Sequence, residues 1–361
     1  MTYGVINADQ IGTSVAGSSL GAGNATLMKN KIINGSMVID QRNAGASVTN
    51  TSYTLDRWTV NQYPNTGKFS VQQNAGSVTP PAGFTYYLGA TSLSAYSIGS
   101  GDIYSILQPI EGYNVADLGW GTANAKTVTL SFQVRSSLTG TFGGAIQNSA
   151  NNRSYPFSYT ISSANTWTSI SVTIAGDTSG TWLTTNGIGM YVVFGMGMGS
   201  TYSGTAGSWA GADYRSATGA TSVVGTNGAT FYITGVQLEV GSSATGFEYR
   251  QYTTELQLCQ RYFYRPALGF GGAVQGSTAI TLLGSYPVAM RTTPSVSVAS
   301  ALSVFQTGIG GVFSQSSASG GINASINSNQ SYAIECGNFS GLTNAWPVAI
   351  SAGTINISAE L

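Results

Sequence analysis

The chain has 361 residues, of which only 7% are charged against roughly 25% in an average soluble protein, and its thirteen Lys and Arg balance thirteen Asp and Glu. So few basic residues cannot displace the counterions of a phosphate backbone, which excludes nucleic acid as a partner. The absence of histidine removes zinc–imidazole sites and His-based triads, no apolar run approaches the ~20 residues of a membrane span, and Cys259 and Cys336 alone make no disulfide framework.

The length predicts two domains and an extra segment. Residues 1–30 space Tyr3, Ile6, Ile11 and Leu20 among Gly, Ser and Asn, too sparsely to bury one another. They read as an extended arm that gains order by laying these side chains on another surface. Met1 to Asn7 show neither the basic nor the apolar region of a signal peptide. From residue 31 strand signals dominate. Thr127 to Val134 alternates apolar and polar over its whole length, the period of a strand with one buried face. Ile170, Val172 and Ile174 repeat it, as do Ile188, Met190, Val192 and Phe194. Phe231 and Ile233 start another strand, and the phase then slips to Val236, Leu238 and Val240 across Gly235, the mark of a β-bulge. Many strands without intervening helices make residues 31–249 an all-β sandwich. Trp58, Trp120 and Trp167 adjoin strand patterns and are assigned to the core.

Residues 200–225 break the alternation. Tyr202, Trp209, Asp213 and Tyr214 stand there among Ser, Gly, Thr and Ala, with Arg215 adjacent. A loop of this length usually has a function, and aromatic faces among neutral hydrogen bonders suit a sugar. These four are the candidate carbohydrate-binding residues, and contact with a neighbouring subunit is the rival reading. Next, Thr254-Glu255-Leu256-Gln257 fits a capping box. Leu256, Cys259, Tyr262 and Phe263 follow at helical spacing until Pro266, so 250–265 reads as a linking helix, with Cys259 a small buried hydrophobe. In residues 266–361 the pairs Ile280/Leu282, Val296/Val298, Ile322/Ile326 and Ile355/Ile357 predict a smaller C-terminal sandwich.

Three stretches taken together resemble a family of bacteriophage tail and fibre proteins. They are Ile32-Ile33-Asn34-Gly35-Ser36 through Gly45 with Tyr53 to Trp58; Ile233 to Gly241 with Thr245-Gly246-Phe247-Glu248-Tyr249-Arg250 and Cys259 to Phe263; and Tyr286 to Pro294. The resemblance implies a virion structural component with a jelly roll of carbohydrate-binding type. Its arm would dock on other virion proteins through Tyr3, Ile6, Ile11 and Leu20, and the chain would act as a homotrimer contacting host surface glycans. The first and last strands also resemble galactose-binding jelly rolls, many of which hold calcium through acidic residues there. Ser36 and Gly235-Val236 stand at those places, so no metal or other cofactor is expected.

Glycoside cleavage needs two carboxylates facing one bond, and none of the thirteen acidic residues shows a paired pattern. The chain is therefore expected not to be an enzyme. Asp56-Arg57 and Glu248/Arg250 read as strand-end or interdomain ion pairs. A free lectin-like module and a surface-polysaccharide depolymerase are the alternatives. Low charge adds an expectation of association, because so neutral a surface is shared with other chains.

Overall fold

A computed structural model describes residues 28–267, 271–306, 310–315, 321–344 and 346–361. Tyr3, Ile6, Ile11 and Leu20 lie outside them. Among the described residues the fold is all-β with one α-helix and a few single 3-10 turns. The first thirteen strands are β1 (Tyr53–Leu55), β2 (Trp58–Tyr63), β3 (Phe69–Gln73), β4 (Leu88–Ser92), β5 (Ile103–Glu111), β6 (Val128–Ser136), β7 (Gly140–Gln147), β8 (Ser154–Ile161), β9 (Thr168–Ile174), β10 (Ile188–Met198), β11 (Ser203–Gly204), β12 (Ser216–Ala217) and β13 (Thr230–Val240). Eleven of them form two antiparallel sheets, while β11 and β12 pair with each other in parallel. One has five strands in the order β3-β4-β13-β6-β9, and the other has six in the order β1-β2-β5-β10-β7-β8.

The alternation read in the sequence is what joins these sheets. Val128, Leu130, Phe132 and Val134 of β6 all point inward and are buried. Across the interior Phe132 meets Phe194 of β10 and Tyr159 of β8, both at 5.1 Å between ring centroids. Each such ring, fully buried, contributes about 1.5–3 kcal/mol. The phase slip in β13 is a bulge: its register against β6 shifts between Thr234 and Gln237, and Gly235 there has φ +61°.

Residues 31–45 differ from the opening strand that the resemblance implies. They form turns, with positive φ at Asn34 and Met37. The Asn34 side chain closes the turn by accepting from Ile39 N (2.9 Å) and donating to Ile39 O (2.8 Å) and Asp56 O (3.0 Å). Short Asn side chains tolerate this backbone and compete with strand ladders for the same groups. Ile32 and Met37 still enter the main core. Gly35 lies against β13, where Val236 N donates to Gly35 O.

Helix α1 (Tyr252–Gln260) follows. It begins at Gln251 with no side-chain cap, so the Thr254 capping box does not form: Thr254 lies inside the helix, and Glu255 N bonds to Gln251 O instead. Phe263 belongs to the next strand. Cys259 and Tyr262 are buried against Ile33 and Ile39, which makes the helix a wedge packed on both neighbours. Burial pushes the Cys259 thiol well up, in keeping with a hydrophobic role.

The C-terminal unit comprises β14 (Phe263–Tyr264), β15 (Gly271–Gln275), β16 (Ala279–Ser285), β17 (Ser295–Gln306), β18 (Gly311–Ser314), β19 (Ile322–Asn327), β20 (Ser331–Cys336) and β21 (Pro347–Ser358). They make one antiparallel sheet, ordered β18-β17-β21-β15-β16-β20-β19, with β14 on β21. β17 and β19, far apart in that order, touch. The sheet therefore curls over itself and closes a sandwich around Ile280, Leu282, Leu302, Val304, Ile334 and Ile357. No helix among the described residues is long and apolar enough to cross a membrane.

Candidate functional site

On the outer face of the five-stranded sheet lies an open trough of about 370 Å³. Strand register lays its floor. Ser131 of β6 sits opposite Ser171 of β9, and Gln133 opposite Ser169; their neighbours Leu130 and Phe132 face the core, so these four face out. Gln133 Nε2 donates to Ser169 Oγ at 2.7 Å, and Ser169 Oγ lies 3.0 Å from Gln133 Oε1. The floor is polar and uncharged.

Its wall is aromatic. Phe84, Phe247 and Tyr249 form a triangle with centroid separations of 5.1, 5.6 and 5.0 Å, and Tyr249 is 60% exposed. Phe247 and Tyr249 both face the trough, whereas Glu248 between them turns to other partners. Glu248 N donates to Gln237 Oε1 (2.8 Å), and the Glu248 carboxylate accepts from Asn30 N (2.8 Å), from Met28 N and from Arg250. Thr245 is tied to Glu239 through its backbone N (2.8 Å) and hydroxyl (2.6 Å). The wall is thus held on its far side by ionic contacts while its near side stays neutral. Phe84 sits over the bulge, where a Cβ on Gly235 would lie 2.6 Å from its ring. The residues lining the trough include no Asp or Glu, and among the described residues no group of three or more metal-ligating side chains is gathered.

The four residues singled out in the 200–225 loop lie elsewhere, on the six-stranded sheet, and they divide into two groups. Asp213 takes both Nε and Nη2 of Arg215 at 3.0 Å and accepts from Gln147 Nε2 at 2.7 Å. The ring of Tyr202 lies 5.5 Å under the Arg215 guanidinium. Tyr214 packs over Gly204, with no room between for a Cβ. Trp209 stands in a separate knot, edge-on to Trp120 (5.3 Å), Trp182 (5.6 Å) and Tyr155 (5.2 Å), with Nε1 donating to Ala175 O at 2.8 Å. Trp58 and Trp120 are core as expected. Trp167 instead lies half-buried on the outer face against Tyr87: its Nε1 needs a partner and finds Thr79 O there at 2.9 Å.

Of the charged pairs read from the sequence, Glu248 and Arg250 meet at 3.2 Å. Asp56 and Arg57 part company: Arg57 pairs with Glu360, and Asp56 accepts from Gln41 N and Nε2, both at 2.7 Å. The trough itself was not singled out as a site. The signal for it was the Phe247/Tyr249 alternation around Glu248.

No family model and no curated protein matches the chain. Solved structures with a similar layout include the enzymatically active domain of bacteriophage CBA120 tailspike protein 4, at 12% identity and a TM-score of 0.34, covering 59% of this chain and 22% of that one. Others are the CBM22-1–GH10 modules of xylanase 10B from Clostridium thermocellum, at 13% identity and 0.27, covering 56% and 30%, and the family 11 carbohydrate-binding module of Lic26A-Cel5E from the same organism, at 8% identity and 0.27, covering 57% and 100%. The chain thus spans about a fifth of the tailspike domain's length.

Proposed function

We propose that this chain is a non-catalytic structural protein of a bacteriophage particle that contacts host surface glycans through the trough of the five-stranded sheet. The trough carries the reading. Three aromatic rings offer the flat faces on which sugar C–H surfaces stack, and a floor of Ser and Gln offers mixed donors and acceptors for hydroxyls. No carboxylate lines it to act as acid, base or nucleophile on a glycosidic bond. The trough alone fits a free lectin-like module equally well; the three sequence motifs favour the virion, with the arm of residues 1–30 as its attachment and a homotrimer as its assembly.

The test has two arms. Phe247→Ala with Tyr249→Ala should weaken binding to host cells at least tenfold while host polysaccharide releases no reducing ends with either protein. Unchanged binding would remove the trough from the function, and release of reducing ends by the parent protein would make it an enzyme. Fractionated phage particles should contain the chain, and light scattering should give three times the 37.2 kDa of one copy. Absence from particles would leave the lectin reading.

A further inference from the structure

The opposite face of the sandwich carries a second hollow, of about 200 Å³, and the register of the six-stranded sheet again builds its floor. Thr59 of β2 sits opposite Leu107 of β5. Tyr191 of β10 lies between Pro109 of β5 and Gln147 of β7. Leu107, Pro109 and the Tyr191 ring therefore point away from the core, Leu107 only 6% exposed, and Tyr53 and Leu361 complete the apolar lining beside them. Asn61, two residues along β2 from Thr59, shares that face, and Asn151 in the turn between β7 and β8 overhangs it. The side chains of Thr59, Asn61 and Asn151 make no hydrogen bond to any other described residue. They are groups with hydrogen-bonding capacity and no internal use for it.

Arg215 closes the rim, and the Asp213 carboxylate already balances its charge through two hydrogen bonds.

We propose that this hollow is a second saccharide site, which takes one neutral sugar unit. The C–H face of the ring lies on Tyr191, Pro109 and Leu107, and its hydroxyls meet Asn61, Asn151 and Thr59. A volume below the 300–1,000 Å³ of drug-sized pockets limits it to a single unit. The Arg215–Asp213 pair leaves the hollow no unpaired cation with which to hold an acidic sugar. These residues are distinct from those of the trough, so either site can fail alone. With both occupied, one chain would hold two glycan segments on opposite faces, which raises avidity without a new contact.

The test is calorimetric titration and saturation-transfer NMR with lactose, maltotriose, N,N′-diacetylchitobiose and glucuronic acid. Two variants of the full chain are used, Phe247→Ala/Tyr249→Ala and Asn61→Ala/Asn151→Ala. The first should still bind one equivalent of a neutral sugar. Adding the second pair of substitutions should weaken that binding at least tenfold, because the two amides bond nothing in the protein, with a melting temperature lowered only by the strain of Ala at the left-handed backbone of Asn151 (φ +54°). Loss of all binding in the first variant, binding that the asparagine pair does not weaken, a preference for glucuronic acid, or silence towards every sugar at millimolar concentration would each overturn the proposal.

Discussion

Trp209 shows why an aromatic residue in a small-residue loop need not be a binding platform. Its ring is spent on three edge-to-face contacts, each worth about 0.5–1.5 kcal/mol beyond area, and its N–H is used by Ala175 O. Trp209→Ala should therefore lower stability by roughly 3 kcal/mol, near the lower end of the range for aromatic truncation, and leave sugar binding by the folded protein unchanged; thermal melts and titration check both. Asp56 makes a second case at this scale. Burial pushes its carboxyl from 3.8 up to about 6, against the opposing pull of Arg42 and the Gln41 hydrogen bonds. Between these two values the folded chain holds a proton that the unfolded chain has released. Asp56 therefore makes stability fall as pH rises from about 4 to about 6, and its effect is constant above that. Melting temperatures of the parent and Asp56→Asn should differ in slope across that window and run parallel from pH 7 upward; parallel curves throughout would show an Asp56 with an ordinary carboxyl.

At the scale of elements, Gly235 joins fold to site. A side chain there would meet both a backbone at φ +61° and the Phe84 ring, and left-handed backbone alone costs a non-glycine residue about 1 kcal/mol or more. Gly235→Ala should lower stability by about 1–3 kcal/mol and tilt Phe84, weakening sugar binding by more than the stability loss accounts for; titration below the melting range separates the two effects. The bulge was legible because a period of two cannot slip phase without one, and β6, β9 and β10 were legible because one buried face imposes the same period. The turn at 31–45 was not. Its geometry is set by Asn34 reaching Ile39 and Asp56, and side-chain closure leaves no period to read. The start of α1 was displaced for a similar reason: Gln251 opens the helix through its backbone alone, so the better capping sequence at Thr254 misled. The trough was legible only in its Phe247/Tyr249 edge, because Ser131 and Gln133 meet Ser171 and Ser169 through the pairing of two separate strands and Phe84 joins Phe247 from across more than 160 residues.

At the scale of the whole molecule, a chain with 7% charge spends much of it at one joint. Glu360, just beyond the last strand, receives Arg42 (2.5 Å) and Arg57 from the jelly roll. The two guanidiniums lie 3.7 Å from the rings of Phe263 and Tyr262. Arg261, at the end of α1, grips Glu111 of β5 with two bonds of 2.8 and 2.6 Å, and the Tyr262 hydroxyl donates to the same carboxylate at 2.6 Å. Arg291 of the C-terminal unit reaches back to Asn186 O at 2.8 Å. Such an arrangement fixes the orientation of one sandwich on the other, because directional charged bonds hold angle as well as distance. It is also fragile in a specific way. Arg57 is 1% exposed, so losing Glu360 leaves a buried cation without its counter-charge, which costs about 3–5 kcal/mol where it has been measured. Glu360→Gln should split the calorimetric unfolding of the parent chain into two transitions, the C-terminal unit and helix separating before the jelly roll. Salt at 1 M should not reproduce the split, because buried pairs are screened far less than exposed ones. If the variant still unfolds in one step at the parent temperature, apolar packing of Cys259 and Tyr262 on Ile33 and Ile39 suffices to hold the units together, and the charges serve alignment only.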